Sequence, residues 1–188
     1  MIGAMGILEL LGLGSPARGD TAAPRSGADT ETVRRIVGEL DRMPPDRARY
    51  LAAFAYVLSR AAAADLHVSD VETDAMVEIL QRVGHLPEEQ AVLAVAIAKS
   101  QNRLFGGTED YLVTREFREI STDEQRLDLL NCLFAVTASD DSITAEEEAQ
   151  VRQIARELGF GHDAFVKARA AFSDKRSVLK TPPPPRRT

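Results

Sequence analysis

The 188-residue chain has no tryptophan, one cysteine and only 5% aromatic residues. A single cysteine excludes an internal disulfide and a cysteine-based zinc site. With so few aromatic rings, Ala, Leu, Val and Ile must fill the core, and this favours close-packed helices over a β-sandwich. Proline is absent from residues 88–181, as a series of consecutive helices requires.

Several enzyme motifs are also missing. The chain contains no glycine-rich phosphate loop, no nucleophile elbow and no HExxH. Cys132 lies in the apolar run LLNCLFAV, which is typical of a core residue rather than a nucleophile. We therefore predict a protein that is not an enzyme and has no identifiable small-molecule substrate. The single cysteine fits a reducing compartment, and because the sequence shows no transmembrane segment we predict a cytoplasmic location.

Charge is distributed unevenly. The net charge is −6, residues 1–28 are balanced, and residues 175–188 carry five basic residues and no acid, which leaves −11 on residues 29–174. An acidic body argues against nucleic acid as a partner and is compatible with cation binding.

The two ends differ in composition from the middle. The apolar stretch MIGAMGILELLGLG is too short to span a bilayer, and no basic residue precedes Arg18, so it is not a secretory signal. It can be a docked helix, a peripheral membrane contact through residues 1–13, or disordered. We assign residues 1–28 to this segment and a flexible linker, and residues 174–188 to a basic, proline-rich tail.

Apolar periodicity and capping residues predict eight helices between these ends. Gly84 is expected to end the third helix in a left-handed conformation, and AVLAVAIA in the fourth predicts a central, buried helix. No alternating strand pattern occurs, so we predict an all-α domain over 29–173. The predicted helices cover 29–41, 46–64, 70–83, 87–104, 108–119, 122–138, 145–158 and 162–172.

An internal repeat has an offset of 75 residues. ADLHVSDVE at 64–72 aligns with SDDSITAEE at 139–147, and apolar positions match on either side of these stretches. Residues 50–88 and 125–163 are therefore predicted to be two copies of one helix–loop–helix unit, related by a pseudo-two-fold axis. The identical residues of the two copies include Asp65 and Asp140, Glu72 and Glu147, Ile79 and Ile154, and Gly84 and Gly159.

The hydroxyl and glutamate of each copy form a helix-start signature. Ser69-x-x-Glu72 and Thr144-x-x-Glu147 both fit the capping box, in which the hydroxyl and the carboxylate each accept a backbone N–H. Helix capping thus accounts for these four residues without any further function.

Asp65 and Asp140 need a separate explanation. Each is predicted at the C-terminal end of a helix, where the helix dipole disfavours an anion. Either each aspartate shapes its turn by accepting loop N–H groups, or Asp65, Glu72, Asp140 and Glu147 are oxygen ligands of a divalent cation such as Ca²⁺, Mg²⁺ or Mn²⁺. Neither copy is an EF-hand, because the mid-loop glycine and the final glutamate are missing.

The two stretches ADLHVSDVE and SDDSITAEE each follow an apolar helix. They resemble the pattern A-D-G-x-[VI]-[ST]-x-x-E of the tellurite-resistance TerB-like family, which includes the N-terminal domain of DjlA co-chaperones. The resemblance covers about residues 45–172, and Leu66 and Asp141 replace the glycine that the family favours. It implies a helical domain linked to stress responses that binds divalent metal and recruits protein partners, often near the inner membrane, without catalytic activity.

Three functions follow, in decreasing order of preference. The first is a stress-linked TerB-like binding or scaffold module whose acidic loops bind a divalent cation. The second is a purely structural module for protein or peripheral inner-membrane interaction, in which the acids only cap helices. The third, and least favoured, is a metal-dependent hydrolase that uses the same carboxylates.

Overall fold

The computed structural model describes residues 27–62, 70–101, 110–138 and 143–172, and these ranges form helices without any β-strand. The prediction of an all-α fold is confirmed. Helix α1 begins before its predicted cap at Asp29 or Thr30, and the other helix ends either coincide with the predicted ones or differ from them by at most three residues. The helices are α1 (Gly27–Asp41), α2 (Pro45–Ala62), α3 (Asp70–Arg82), α4 (Glu88–Gln101), α5 (Asp110–Ile120), α6 (Asp123–Thr137), α7 (Ala145–Glu157) and α8 (His162–Ala170).

Helix α2 occupies the centre of the domain. Every residue from Leu51 to Arg60 is buried, because α2 packs against α4, α5, α6 and α7 on different sides. The sequence predicted a single apolar stripe on this helix, so the burial of its whole circumference is a finding of the structure. Helix α4 is largely buried, as predicted, although Val92 is exposed.

The two repeats pack as a symmetric pair. Helix α2 lies against α6, α3 packs on α6, and its equivalent α7 packs on α2. This exchange of partners is what a pseudo-two-fold axis between α2 and α6 requires. The second helix of each unit is thus held by the first helix of the other unit, and neither unit could bury its apolar face alone.

The prediction that Gly84 adopts a left-handed conformation is wrong. His85 has the positive φ, 53°, and its ring lies 3.1 Å from the Asp128 carboxylate. Gly84 is required for a different reason, since a Cβ there would lie 2.8 Å from the Leu80 carbonyl oxygen and 2.9 Å from Cys132 Sγ. In the second copy the equivalent Gly159 does take the left-handed conformation, with φ 90°.

Cys132 of α6 is fully buried in the hydrophobic core of the domain. Burial, with a contribution from the Asp128 carboxylate, raises its pKa to about 12. Because the thiolate is the reactive form, we expect the native protein to leave a thiol reagent such as DTNB unreacted at about pH 8 and the guanidinium-unfolded chain to react with one equivalent. Rapid labelling of the native protein would contradict this expectation and return Cys132 to the list of possible nucleophiles.

Several predictions concern other parts of the chain. These predictions fall on residues outside the described ranges: 1–26, 63–69 with Asp65, 139–142 with Asp140, and 173–188. The membrane contact through residues 1–13 and the domain limits at 29 and 173 remain predictions. None of the helices described is both long and apolar enough to cross a membrane.

Candidate functional site

The start of α7 forms the capping box that the sequence predicts. Thr144 has an extended backbone, and its Oγ1 accepts the Glu147 N–H at 3.2 Å. In return Glu147 Oε2 accepts the Thr144 N–H at 2.7 Å and the Thr144 hydroxyl at 2.8 Å. Ile143, just before the cap, is buried. Both bonds that the Glu147 carboxylate accepts end on Oε2, and a cation would therefore be bound through the other oxygen, Oε1.

The four predicted metal ligands are described to different extents. Glu147 is the only one whose side chain is described; Glu72 lies in α3 without a described side chain, and Asp65 and Asp140 lie outside the described residues. Within the described ranges, no group of three or more His, Cys, Asp or Glu side chains is close enough to hold a metal ion. The chemistry of the four carboxylates suits a hard divalent cation, and their assignment as ligands remains a prediction.

Glu148, the residue after the predicted ligand, has a different role. Its carboxylate is buried, and its Oε1 accepts hydrogen bonds from Arg152 and Arg169, both at 2.9 Å. Both guanidinium groups also lie over the Phe165 ring, at 5.0 and 5.9 Å from its centroid. The cluster ties α7 to α8 and fixes the orientation of Arg152.

A second polar cluster lies in the core and was not predicted. Arg60 of α2 has a side chain only 4% exposed; its Nη1 donates to Glu157 Oε2 at 2.6 Å and to Thr114 Oγ1 at 2.5 Å. Its Nε lies 3.5 Å from Asp110 Oδ2, and Tyr56 donates its hydroxyl to the other oxygen of Asp110 at 3.1 Å. One guanidinium thus joins α2, α5 and α7.

Burial and the contact with Arg60 have opposite effects on the pKa of Glu157, and the contact with Arg60 prevails. Burial alone would raise the pKa of Glu157, but the hydrogen bond and positive charge of Arg60, together with bonds from Gln153 and Thr114, hold it below its ordinary value of 4.5. Glu157 is therefore ionised at neutral pH and forms a true ion pair with Arg60.

Sequence reasoning missed these polar contacts to different degrees. A capping box that was not predicted, Thr122 with Gln125, starts α6, and its signature T-D-E-Q could have been found in the same way as the two predicted ones. Arg60 offered one weak signal, a charge inside the apolar run LAAFAYVLSRAAA. Its partners at 110, 114 and 157 could not be inferred from spacing.

Comparison with known proteins agrees with this architecture. Searches of curated protein sequences and of solved structures returned no match, whereas the family model described as "Tellurite resistance protein TerB" matches residues 50–170. That range begins in α2 and ends with α8, and it contains both repeats with their helix starts. The all-helical fold, the doubled unit and the family match together place the chain in the tellurite-resistance TerB family.

Proposed function

We propose that this TerB-family domain is a non-enzymatic binding or scaffold module in stress responses, and that its acidic interhelical loops bind a divalent cation. The observation that carries the proposal is the start of α7. The capping box holds Glu147 in place through one carboxylate oxygen, and Asp140 precedes it by seven residues in the sequence. A carboxylate held at the start of α7, with a second acid seven residues earlier in the sequence, is a suitable start for a Ca²⁺, Mg²⁺ or Mn²⁺ site.

A non-catalytic role is supported by the burial of the one cysteine. Cys132 has its pKa raised to about 12 and is inaccessible in the core of α6. The two polar clusters of the core and of α7 are made of paired arginines and carboxylates, which join helices to one another. We propose that partners are proteins, and that contact with the inner membrane, if made, uses residues 1–13.

Thermal melts test the cation site. We expect saturating Ca²⁺, Mg²⁺ or Mn²⁺ to raise the melting temperature over that in EDTA; occupancy at 100 times Kd adds about 2.7 kcal/mol to the free energy of unfolding. Asp140→Asn and Glu147→Gln should abolish the rise. Glutamine can still complete a capping box, so Glu147→Gln removes the ligand charge while keeping the helix start.

The matched control is Glu146→Gln. Glu146 is an exposed acid in the same first turn of α7, and its loss changes the net charge by the same amount. The cation shift should persist in this variant. A wild-type melting temperature that does not depend on cation would rule out the metal site and favour the structural module, in which the acids only cap helices. A shift that survives Asp140→Asn and Glu147→Gln would rule out these two ligands.

A further inference from the structure

One side of α7 lines a groove that no other described helix fills. Helix α8 comes directly after α7, just as α4 comes directly after α3. The two helices pack differently: the nine-residue α8 packs chiefly on α6, whereas the 14-residue α4 packs along α3. A groove of about 580 Å³ runs along α7, and its described lining comes from α7 and the two residues before it. Ala145 and Ala149 form a low floor along this groove, so a bound chain could approach the helix closely.

Two arginines supply the charge of this groove. Arg152 is held by Glu148 at 2.9 Å and by the Phe165 ring, so its remaining N–H donors are oriented before any ligand binds. Arg156 lies one helical turn further along and is exposed. No ion pair joins Arg156 to another residue in the described part of the chain.

These arginines belong to the second repeat alone. At the positions equivalent to Arg152 and Arg156, α3 has Val77 and Gln81, and Val77 packs against the core. The doubled fold therefore requires no arginine at either place. The preoriented guanidinium of Arg152 and the exposed one of Arg156, on a body of net charge −11, make a local site for anions on an otherwise acidic protein.

We propose that the α7 groove binds an acidic peptide segment of a protein partner. Carboxylates one helical turn apart, or on alternate residues of an extended chain, can pair with Arg152 and Arg156 while the backbone lies over Ala145 and Ala149. A nucleic acid fits less well, because its closely spaced phosphates would extend from two arginines onto the surrounding acidic surface. The groove needs no cation, so this proposal is independent of the metal site.

Fluorescence anisotropy with a labelled glutamate- and aspartate-rich peptide tests the groove. The measurements are made in EDTA with the full chain, and the reference is the same peptide with glutamine and asparagine in place of the acids. We expect the acidic peptide to bind, to bind more weakly as salt rises from about 50 to 150 mM, and the neutral peptide not to bind. Arg156→Glu should weaken binding at least tenfold and Arg156→Gln by a smaller factor.

The control is Arg82→Glu. Arg82 lies on α3, is 77% exposed and pairs with Glu78 alone among the residues described, so the substitution changes net charge equally on a different face. Arg82→Glu should change the affinity for the acidic peptide less than twofold. Thermal melts of Arg82→Glu, Arg156→Glu and Arg156→Gln should show intact folding, because Arg82 and Arg156 are exposed. The proposal is overturned if the neutral peptide binds equally, if Arg156→Glu binds like wild type, or if Arg82→Glu weakens binding as much. Because EDTA is present throughout, a negative result for peptide binding does not bear on the cation site. A negative result in the cation melts likewise does not bear on peptide binding.

Discussion

Replacing Arg60 with methionine is expected to lower the free energy of unfolding by about 3–5 kcal/mol, the usual cost of breaking a buried ion pair from one side. The side chain of Arg60 is 4% exposed and that of its partner Glu157 is 9% exposed. Methionine fills much of the same volume but leaves the carboxylates of Glu157 and Asp110 without their cation. For a chain of this length the melting temperature should fall by roughly 10 °C.

Arg82→Met is the matched control for this prediction. Arg82 also pairs with a glutamate, Glu78 at 2.9 Å, but both side chains are mostly exposed, and such pairs contribute at most about 1 kcal/mol. Urea denaturation of the two variants compares the same substitution in two environments. Adding Glu157→Gln to Arg60→Met should recover part of the loss, because the uncompensated charge is then gone. Equal effects of Arg60→Met and Arg82→Met would show that the buried cluster contributes no more than a surface pair.

The cost of Arg60→Met should depend on pH. In the wild type the pKa of Glu157 is lowered on folding, so its contribution to stability is complete above its unfolded pKa of about 4.5 and is lost as the pH falls through the lower folded value. In the variant, burial without Arg60 favours the protonated carboxyl. The difference in unfolding free energy between the two proteins should therefore be largest near pH 7 and shrink below about pH 4. A difference that is constant over this range would contradict an ionised Glu157.

Phe117→Ala is expected to cost about 3–5 kcal/mol, as for other fully buried phenylalanines. Phe117 of α5 has no exposed surface. Its ring centroid lies 5.4 Å from that of Tyr50 and 6.0 Å from that of Phe54, the latter in an edge-on arrangement. Alanine would leave a cavity between α5 and α2 and remove both ring contacts. Chemical denaturation followed by circular dichroism measures the loss.

Two variants separate cavity formation from other effects at Phe117. Phe117→Leu keeps most of the volume and should cost about 1.5 kcal/mol or less. Leu112→Ala, on the exposed side of the same helix, should stay within about 0.5 kcal/mol, as surface substitutions usually do. A loss at Phe117→Ala no greater than that at Leu112→Ala would mean that α5 does not depend on this core contact.

Much of the fold could be predicted because its signals are local. The Pro44-Pro45 pair separates α1 from α2, and the Thr144–Glu147 box starts α7 at its predicted residue. Each of these effects acts within about four residues of chain. The repeat was equally visible, since it needs only a comparison of the chain with itself.

The same reasoning failed where a position depends on what packs against it. Gly84 was expected to have a positive φ, but His85 has it instead. At Gly84 a side chain is excluded by the close approach of Cys132, which lies 48 residues later in the sequence. Glu148 is one of three successive acids in the first turn of α7, but the approach of α8 buries it between two arginines. No local pattern distinguishes it from Glu146.

The sequence by itself determined the helices, their order, the doubled unit and the capping of α7, because backbone sterics and hydrogen bonds to near neighbours decide these features. Only the tertiary structure decided which polar residues are inside. Arg60 finds its partners 50 and 97 residues away, and a charge is tolerated in the core only where packing brings such partners within hydrogen-bonding distance. The direction of Arg152 on α7 likewise depends on Phe165, which α8 supplies.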